Sequence, residues 1–278
     1  MASLPDGIVV LDSVTHLDAK HKGAVAFCGS HAGVYAAYYA AYKGLAAVIL
    51  NDAGIGRERA GVAGLELLAK LGVPAAAISH MSARIGEGRD GVERGVLSTV
   101  NKAAETLGLK IGQSCADALA LLAKSKPQAA PSPAPLEESR FEVSEAGRDG
   151  VKVFVIDSMS LVKPEDDGHI IVSASHGGAL GGRPEMAIKH PVFACVCNDA
   201  DKGLDSAGIT RLPALDQRGI AAACVSAFSA RIGDGRSTYA DGYISVINET
   251  ARRRGGLVGQ SCKAFVAAMV QARVAGRA

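Results

Sequence analysis

The most specific chemical signal in the sequence is an arginine- and glycine-rich segment that occurs twice, as SARIGEGR at 82–89 and as SARIGDGR at 229–236. A guanidinium group among glycines can hold a carboxylate or a phosphate through two parallel hydrogen bonds, and a serine hydroxyl can donate a third. We therefore predict a binding site for the anionic group of a substrate, made by Ser82, Arg84, Ser229 and Arg231.

The same segment has a structural alternative. Each copy carries an acid three residues after the arginine, Glu87 in the first and Asp234 in the second. An arginine that pairs with such a neighbour would form a salt-bridged loop that joins the two halves of the chain. We favour ligand binding, because a charged, glycine-rich loop has no role in a hydrophobic core.

A serine and histidine followed by glycine also occur twice, as SHAG at 30–33 and as SHGG at 175–178. Imidazole titrates near neutral pH and can act as a general base, and glycine lets the backbone approach an anion closely. The alternative is that the serines cap helices and that the histidines bond to nearby backbone groups. The predicted catalytic residues are Ser30, His31, Ser175 and His176, and the predicted substrate-binding glycines are Gly33 and Gly178.

An aspartate completes each predicted set. NDAG at 51–54 and NDAD at 198–201 place Asp52 and Asp199 where a carboxylate could orient a histidine or act as a base. Asn and Asp are also common in the turn that ends a strand, and this alternative stays open. No His, Cys and carboxylate set has the spacing of a metal site, so we predict neither a metal nor a cofactor.

These paired motifs belong to a duplication of the whole chain. IVVLDS at 8–13 matches VFVIDS at 153–158, and GQSC at 112–115 recurs at 259–262. The offset grows from 145 to 147 residues along the chain, so an insertion of two residues reconciles all matches. This period has the size of a domain and exceeds the roughly 20–50 residues of a solenoid unit, so we predict two similar halves.

Each half alternates short apolar runs with helix-like segments. In the first half, the runs GAVAFCGS, LAAVILND and VPAAAISH are separated by GVYAAYYAAYKG and AGVAGLELLAKLG. Such alternation is typical of an α/β fold in which helices flank a mostly parallel sheet. We further predict helices in GVLSTVNKAAETLG and YISVINETARRRG, and a pseudo-twofold axis that relates the two repeats.

The candidate residues share one position in this predicted fold, because each motif follows the carboxyl end of a buried strand. Ligands of open α/β sheets bind beyond that edge. We expect the site there, near the interface of the two repeats, either as one shared site or as two. The predicted boundaries are a first repeat at 1–123, a Pro/Ala/Ser-rich linker at 124–150 and a second repeat at 151–278.

The composition favours a small-molecule substrate. The net charge is +2 and aromatic residues make up 4%, so we expect neither a nucleic acid nor a membrane as a partner. No signal peptide or membrane-spanning stretch is recognisable, so we expect a cytoplasmic protein that could form a homo-oligomer. We expect the six cysteines to be buried thiols and not a disulfide framework. We also expect Cys195 and Cys197 to point to opposite faces of a strand and to share no metal.

Together these motifs predict an enzyme that acts on a small carboxylate-bearing metabolite, with hydrolysis of a C–N bond as the first reaction class. The arginines would hold the anion and a histidine would move protons. An aspartate would orient this histidine, and the serines would stabilise the negative charge that develops. Lyase or isomerase chemistry uses the same groups, and a non-catalytic metabolite-binding or sensor protein is the competing class. The two halves also differ, because His80 corresponds to Ala227. Such a difference is expected if the site binds an asymmetric substrate or if one copy is inactive.

Overall fold

A computed structural model describes residues 7–129 and 132–276 of the 278-residue chain. The chain forms two compact units, each of which includes a short segment from the other half of the sequence. Unit 1 comprises Met1–Ile55, Arg59–Leu136 and Lys202–Ala207, and unit 2 comprises Gly56–Glu58, Glu137–Asp201 and Gly208–Ala278. The stretch at 124–150 therefore contributes residues to both units.

Unit 1 contains a five-stranded sheet with the strand order β1-β2-β3-β4-β5. The strands are β1 (Ile8–Leu11), β2 (Val25–His31), β3 (Ala47–Asn51), β4 (Ala75–Ile78) and β5 (Leu97–Val100). The first four are parallel, and β5 runs antiparallel to β4. Every residue of β3 and β4 is buried, as expected for central strands that are covered on both faces.

Helices cover both faces of this sheet. They are α1 (Val34–Tyr42), α2 (Gly64–Lys70), α3 (Gly88–Arg94), α4 (Lys102–Thr106) and α5 (Cys115–Ser125). Successive residues of β2 enter different cores, because side chains alternate across a strand. Ala26 and Cys28 pack in the core that includes α1 and α2, whereas Phe27 packs in the core that includes α3, α4 and α5.

Unit 2 contains a six-stranded sheet with the strand order β11-β10-β9-β8-β7-β6. The strands are β6 (Arg140–Glu142), β7 (Val153–Ile156), β8 (Ile170–His176), β9 (Ala194–Asn198), β10 (Ala221–Val225) and β11 (Ile244–Ile247). Its helices are α6 (Arg211–Gln217), α7 (Gly235–Asp241), α8 (Glu249–Arg253) and α9 (Cys262–Val274). Only the edge strands β6 and β11 are antiparallel to their neighbours.

The units differ after the second parallel strand. In unit 1, β2 leads into α1, whereas in unit 2, β8 leads into two short 3-10 turns, Leu180–Gly182 and Pro184–Met186. The first sequence, GVYAAYYAAYKG, is rich in alanine, which is the strongest helix former. The second, GGALGGRPEMAIKHP, contains glycines and prolines that oppose a helix at this point.

The helices predicted in GVLSTVNKAAETLG and YISVINETARRRG are wrong in their first halves. Each of these segments begins with an antiparallel strand, β5 or β11, and its helix starts only at α4 or α8. Asn101 marks the change in unit 1, because its Oδ1 accepts hydrogen bonds from Ala104 N–H of α4 and from Ala75 N–H of β4. Both units are therefore α/β folds with mixed sheets and flanking helices.

Candidate active site

Asp52 and His80 form a carboxylate–histidine pair at the carboxyl end of the unit 1 sheet. Asp52 follows β3 directly and is 2% exposed, and His80 follows the neighbouring strand β4. Oδ1 of Asp52 accepts hydrogen bonds from the backbone N–H and the ring Nδ1 of His80, both at 2.9 Å. In the neutral tautomer that donates from Nδ1 to this carboxylate, Nε2 is the basic nitrogen of the ring.

Hydrogen bonds keep the Asp52 carboxyl ionised. Ser98 Oγ on β5 donates to Oδ2 at 2.7 Å, and Gly54 N–H donates to Oδ1 at 3.0 Å. Burial raises the pKa of this carboxyl, but the hydrogen bonds from His80 and Ser98 outweigh burial and hold the pKa below its usual value. An ionised carboxylate stabilises the imidazolium that forms when His80 accepts a proton, so the pair is suited to proton transfer.

The sequence pattern does not indicate His80 as a site residue. It indicates His31, which belongs to a repeated motif, whereas His80 has alanine at the corresponding position of the second half. The signal that could have found His80 is its place directly after a predicted strand, combined with this difference between the halves.

Asp199 occupies the corresponding place in unit 2, where position 227 is alanine. Its Oδ1 accepts hydrogen bonds from Ala227 N–H at 2.8 Å and from Asp201 N–H at 2.9 Å. Ser245, which corresponds to Ser98, donates to the carbonyl oxygen of Cys224 at 3.2 Å. The backbone contacts of Asp52 are thus repeated around Asp199, and position 227 carries a methyl group where position 80 carries an imidazole.

His31 and His176 bond to the backbone that follows them. Nδ1 of His31 accepts a hydrogen bond from Gly33 N–H at 3.1 Å, and Nδ1 of His176 accepts one from Gly178 N–H at 3.2 Å. In the described part of the chain, no hydrogen bond joins His31 to Asp52. Burial lowers the pKa of His31 to about 4, so this ring is neutral at pH 7 and is a weak base.

The low pKa of His31 should make unit 1 less stable in acid. Between pH 6.5, its ordinary pKa, and about 4, the unfolded chain binds a proton that the folded chain cannot bind. The free energy of unfolding should therefore fall by up to about 3 kcal/mol as the pH drops through this window. His31→Asn keeps an acceptor for Gly33 but cannot titrate, and urea unfolding at pH 7 and 4.5 should show a smaller loss. Equal losses in both proteins would contradict the assignment.

The serines of the two histidine motifs hold the preceding loops. Ser30 Oγ accepts a hydrogen bond from Val14 N–H at 3.0 Å, and Ser175 Oγ accepts one from Met159 N–H at 2.9 Å. Gly33 precedes α1 as its N-cap residue. A Cβ at Gly33 would lie 2.6 Å from Nδ1 of His31, so glycine is needed for the contact between the histidine ring and its backbone donor.

The arginine of the first SARIG segment is surrounded by carboxylates. Both Nε and Nη2 of Arg84 donate to Asp205 Oδ2, at 3.1 and 2.8 Å, and Nη1 lies 3.5 Å from Glu87 Oε2 and 3.6 Å from Asp90 Oδ1. Asp205 belongs to the short segment of the second half that is part of unit 1. These contacts match the salt-bridged alternative.

Arg231 makes the corresponding contacts in unit 2. Its Nη1 donates to Glu58 Oε2 at 3.1 Å, and its Nε donates to Asp234 Oδ2 at 3.0 Å. Ser82 and Ser229 also match each other, because each hydroxyl donates to the carbonyl oxygen three residues before it, at 2.7 and 2.8 Å. Position 58 corresponds to position 205, so each unit presents an acid of the other half to its SARIG arginine.

The segments that carry these acids have a left-handed backbone. In these two segments, the residues with φ between +47° and +75° are Ala53, Gly54, Ile55, Gly56, Glu58 and Arg59, and, at the corresponding positions, Ala200, Asp201, Lys202, Gly203, Asp205 and Ser206. This conformation costs roughly 1–2 kcal/mol for each residue with a side chain. Strain of this kind is common at functional sites. Here it occurs directly after Asp52 and Asp199.

The expectation that Cys195 and Cys197 face apart is wrong, because residues two apart in a strand share a face. Both thiols lie in one core with Cys224, and Cys197 is hydrogen-bonded to the other two. The hydrogen bond with Cys197 and burial raise the pKa of Cys195 and of Cys224, whereas hydrogen bonds with both neighbours lower the pKa of Cys197. All three are buried, which favours a packing role.

Comparisons of the chain with protein family models, curated protein sequences and solved structures found no match. Within residues 7–129 and 132–276, no group of three or more His, Cys, Asp or Glu side chains could hold a metal ion. No helix in the same part of the chain is long and apolar enough to cross a membrane.

Proposed function

We propose that the protein is an enzyme that moves protons on a small, carboxylate-bearing metabolite. His80 is the general base, and Asp52 is the residue that positions it. The observation that carries the proposal is the 2.9 Å hydrogen bond between His80 Nδ1 and the buried carboxylate of Asp52, at the strand ends where α/β folds bind ligands. Hydrolysis of a C–N bond is the reaction class that we propose first.

In this reaction, Nε2 of His80 takes a proton from water while the water oxygen attacks the carbonyl carbon. The C–N bond then breaks, the imidazolium returns the proton to the leaving nitrogen, and the ring is neutral again. Asp52 stays ionised and stabilises the imidazolium between these steps, while Ser98 holds the second carboxylate oxygen. A lyase or an isomerase would use the same base to remove a proton from carbon.

The carboxylate of the substrate is proposed to bind at Arg84. This guanidinium is 36% exposed and pairs with Asp205, whose side chain is 52% exposed. An exposed ion pair contributes at most about 1 kcal/mol, so an incoming carboxylate can replace Asp205 at little cost. Oε2 of Glu87 remains 3.5 Å from Nη1 of Arg84, so its negative charge limits the site to one anionic group of the substrate.

A turnover screen tests the proposal. The protein is incubated with N-acyl amino acids, ureido acids and cyclic amides that carry a carboxylate, and the release of amine or ammonia is measured. We expect wild type to hydrolyse one class and Asp52→Asn to be at least about 10²-fold slower, because a neutral amide does not stabilise the imidazolium. Hydrolysis of none of these classes, or an Asp52→Asn variant as fast as wild type, would reject the hydrolase.

A metabolite-binding or sensor protein is the second candidate. The contact between Arg84 and Asp205 is repeated by Arg231 and Glu58 in unit 2, although unit 2 has alanine in place of His80. In this second candidate, the arginines bind a carboxylate without help from the histidine. A thermal-shift assay with the same compounds separates the candidates, because a sensor would be stabilised by a compound that neither wild type nor His80→Ala consumes.

A further inference from the structure

Unit 2 repeats the backbone contacts of the catalytic pair, whereas Ser245 donates to the carbonyl oxygen of Cys224 and Ser98 donates to Asp52. Asp52 Oδ1 accepts from the backbone N–H of residue 80 at 2.9 Å, and Asp199 Oδ1 accepts from that of residue 227 at 2.8 Å. Ser98 and Ser245 occupy equivalent positions on β5 and β11. We call Asp199, the backbone of Ala227 and Ser245 the unit 2 frame.

A corresponding segment packs over residue 80 in unit 1 and over residue 227 in unit 2, with the same backbone contact in both. Leu204 N–H donates to the carbonyl oxygen of His80 at 2.9 Å, and Arg57 N–H donates to that of Ala227 at 2.8 Å. A Cβ at Gly203 would lie 3.5 Å from Cβ of His80, and a Cβ at Gly56 would lie 3.5 Å from Cβ of Ala227. The main chain around residue 227 is therefore arranged like the main chain around residue 80.

We infer that unit 1 holds the proton-transfer centre of this enzyme, and that unit 2 is a silent copy in which a single substitution, Ala227→His, would build a second centre. The catalytic half of this inference rests on the proposed function. Its structural half does not, because pairing between a histidine at position 227 and Asp199 can be observed without a substrate.

Two residues beside the frame differ in charge from their counterparts. Asp201, whose N–H donates to Asp199, stands where unit 1 has Gly54. Arg57 stands where unit 1 has Leu204, and its Nη1 donates to the carbonyl oxygen of Ser229 at 2.7 Å. A cation next to an imidazole disfavours the protonated ring. The double variant Ala227→His/Arg57→Leu therefore copies unit 1 more closely, and it serves as the second variant if Ala227→His alone does not fold.

Nitrogen-15 NMR of histidine-labelled protein tests the structural half. Ala227→His adds one imidazole, and we expect it to carry its proton on Nδ1, as a ring that donates to Asp199 must. In Ala227→His/Asp199→Asn, this tautomer preference should weaken. A new ring that prefers the proton on Nε2 in both the single and the Arg57→Leu variants would overturn the inference.

Turnover of the compound found in the screen tests the catalytic half. We expect His80→Ala to lose at least 99% of the wild-type rate, and His80→Ala/Ala227→His to exceed His80→Ala at least tenfold. A half-active His80→Ala would show that unit 2 is not silent, and a paired but inactive histidine at position 227 would show that the frame is insufficient. If wild type hydrolyses nothing, the proposed function fails, whereas the NMR result still decides whether unit 2 keeps the frame.

Discussion

Replacement of His80 by alanine is expected to lower kcat for the hydrolysed compound by about 10²- to 10⁴-fold, the usual contribution of a general base. KM should change only a few fold, because the anion binds at Arg84 and not at the ring. The fold should tolerate the change, since alanine occupies the same position in unit 2 with the backbone contact to Asp199 intact. Steady-state kinetics and a thermal melt of the same samples measure both effects.

Two controls separate proton transfer from structure. His16→Ala removes an exposed histidine of unit 1 and should leave kcat unchanged. Imidazole added to His80→Ala should restore part of the rate, because a free base can enter the space left by the ring, whereas it cannot repair a misfolded site. A His80→Ala variant with the wild-type kcat would remove His80 from the mechanism.

The second large effect is expected at a buried ion pair of unit 2. Arg140 on β6 donates to both oxygens of Asp166, at 2.6 and 3.2 Å, and the side chain of Asp166 is fully buried. Lys163 N–H donates to the same carboxylate at 2.8 Å. Removal of the arginine would leave a buried charge without its partner, so we expect Arg140→Met to destabilise unit 2 by about 3–5 kcal/mol.

Urea unfolding at pH 7 measures this loss, and an exposed ion pair provides the matched control. Arg89 pairs with Glu93 at 2.7 Å, but its side chain is 83% exposed. Arg89→Met should therefore change the free energy of unfolding by less than about 1 kcal/mol. Similar small effects at both sites would mean that Arg140 contributes nothing specific to the burial of Asp166.

Elements with a strong local pattern are predictable from this sequence. The apolar runs that end at Ser30, Asp52 and His80 coincide with β2, β3 and β4 to within two residues. The segment LSTV of β5 is different, because it precedes a helical pattern and its strand conformation depends on antiparallel pairing with β4. The residues around LSTV do not show which strand it pairs with, so their helical pattern leads to the prediction of a helix at this segment.

The histidine that pairs with Asp52 is likewise not predictable from local sequence patterns. Strands β2 and β4 both flank β3, which Asp52 follows directly. His31 is the last residue of β2, and His80 lies two residues after β4. His31 turns its Nδ1 to Gly33, whereas His80 turns its Nδ1 to Asp52. Side-chain direction after a strand depends on the turn that follows, and motif spacing does not contain this information.

The sequence by itself determined that the chain is duplicated, that each half is an α/β fold and that polar motifs follow buried strands, because repeats, periodicity and strand ends are local patterns. The predicted pseudo-twofold axis and the cytoplasmic location stay predictions. Only the tertiary structure decided that His80 pairs with Asp52, that Asp205 pairs with Arg84 and that Glu58 pairs with Arg231. These contacts join residues 28 to 173 positions apart, and only the folded chain brings them together.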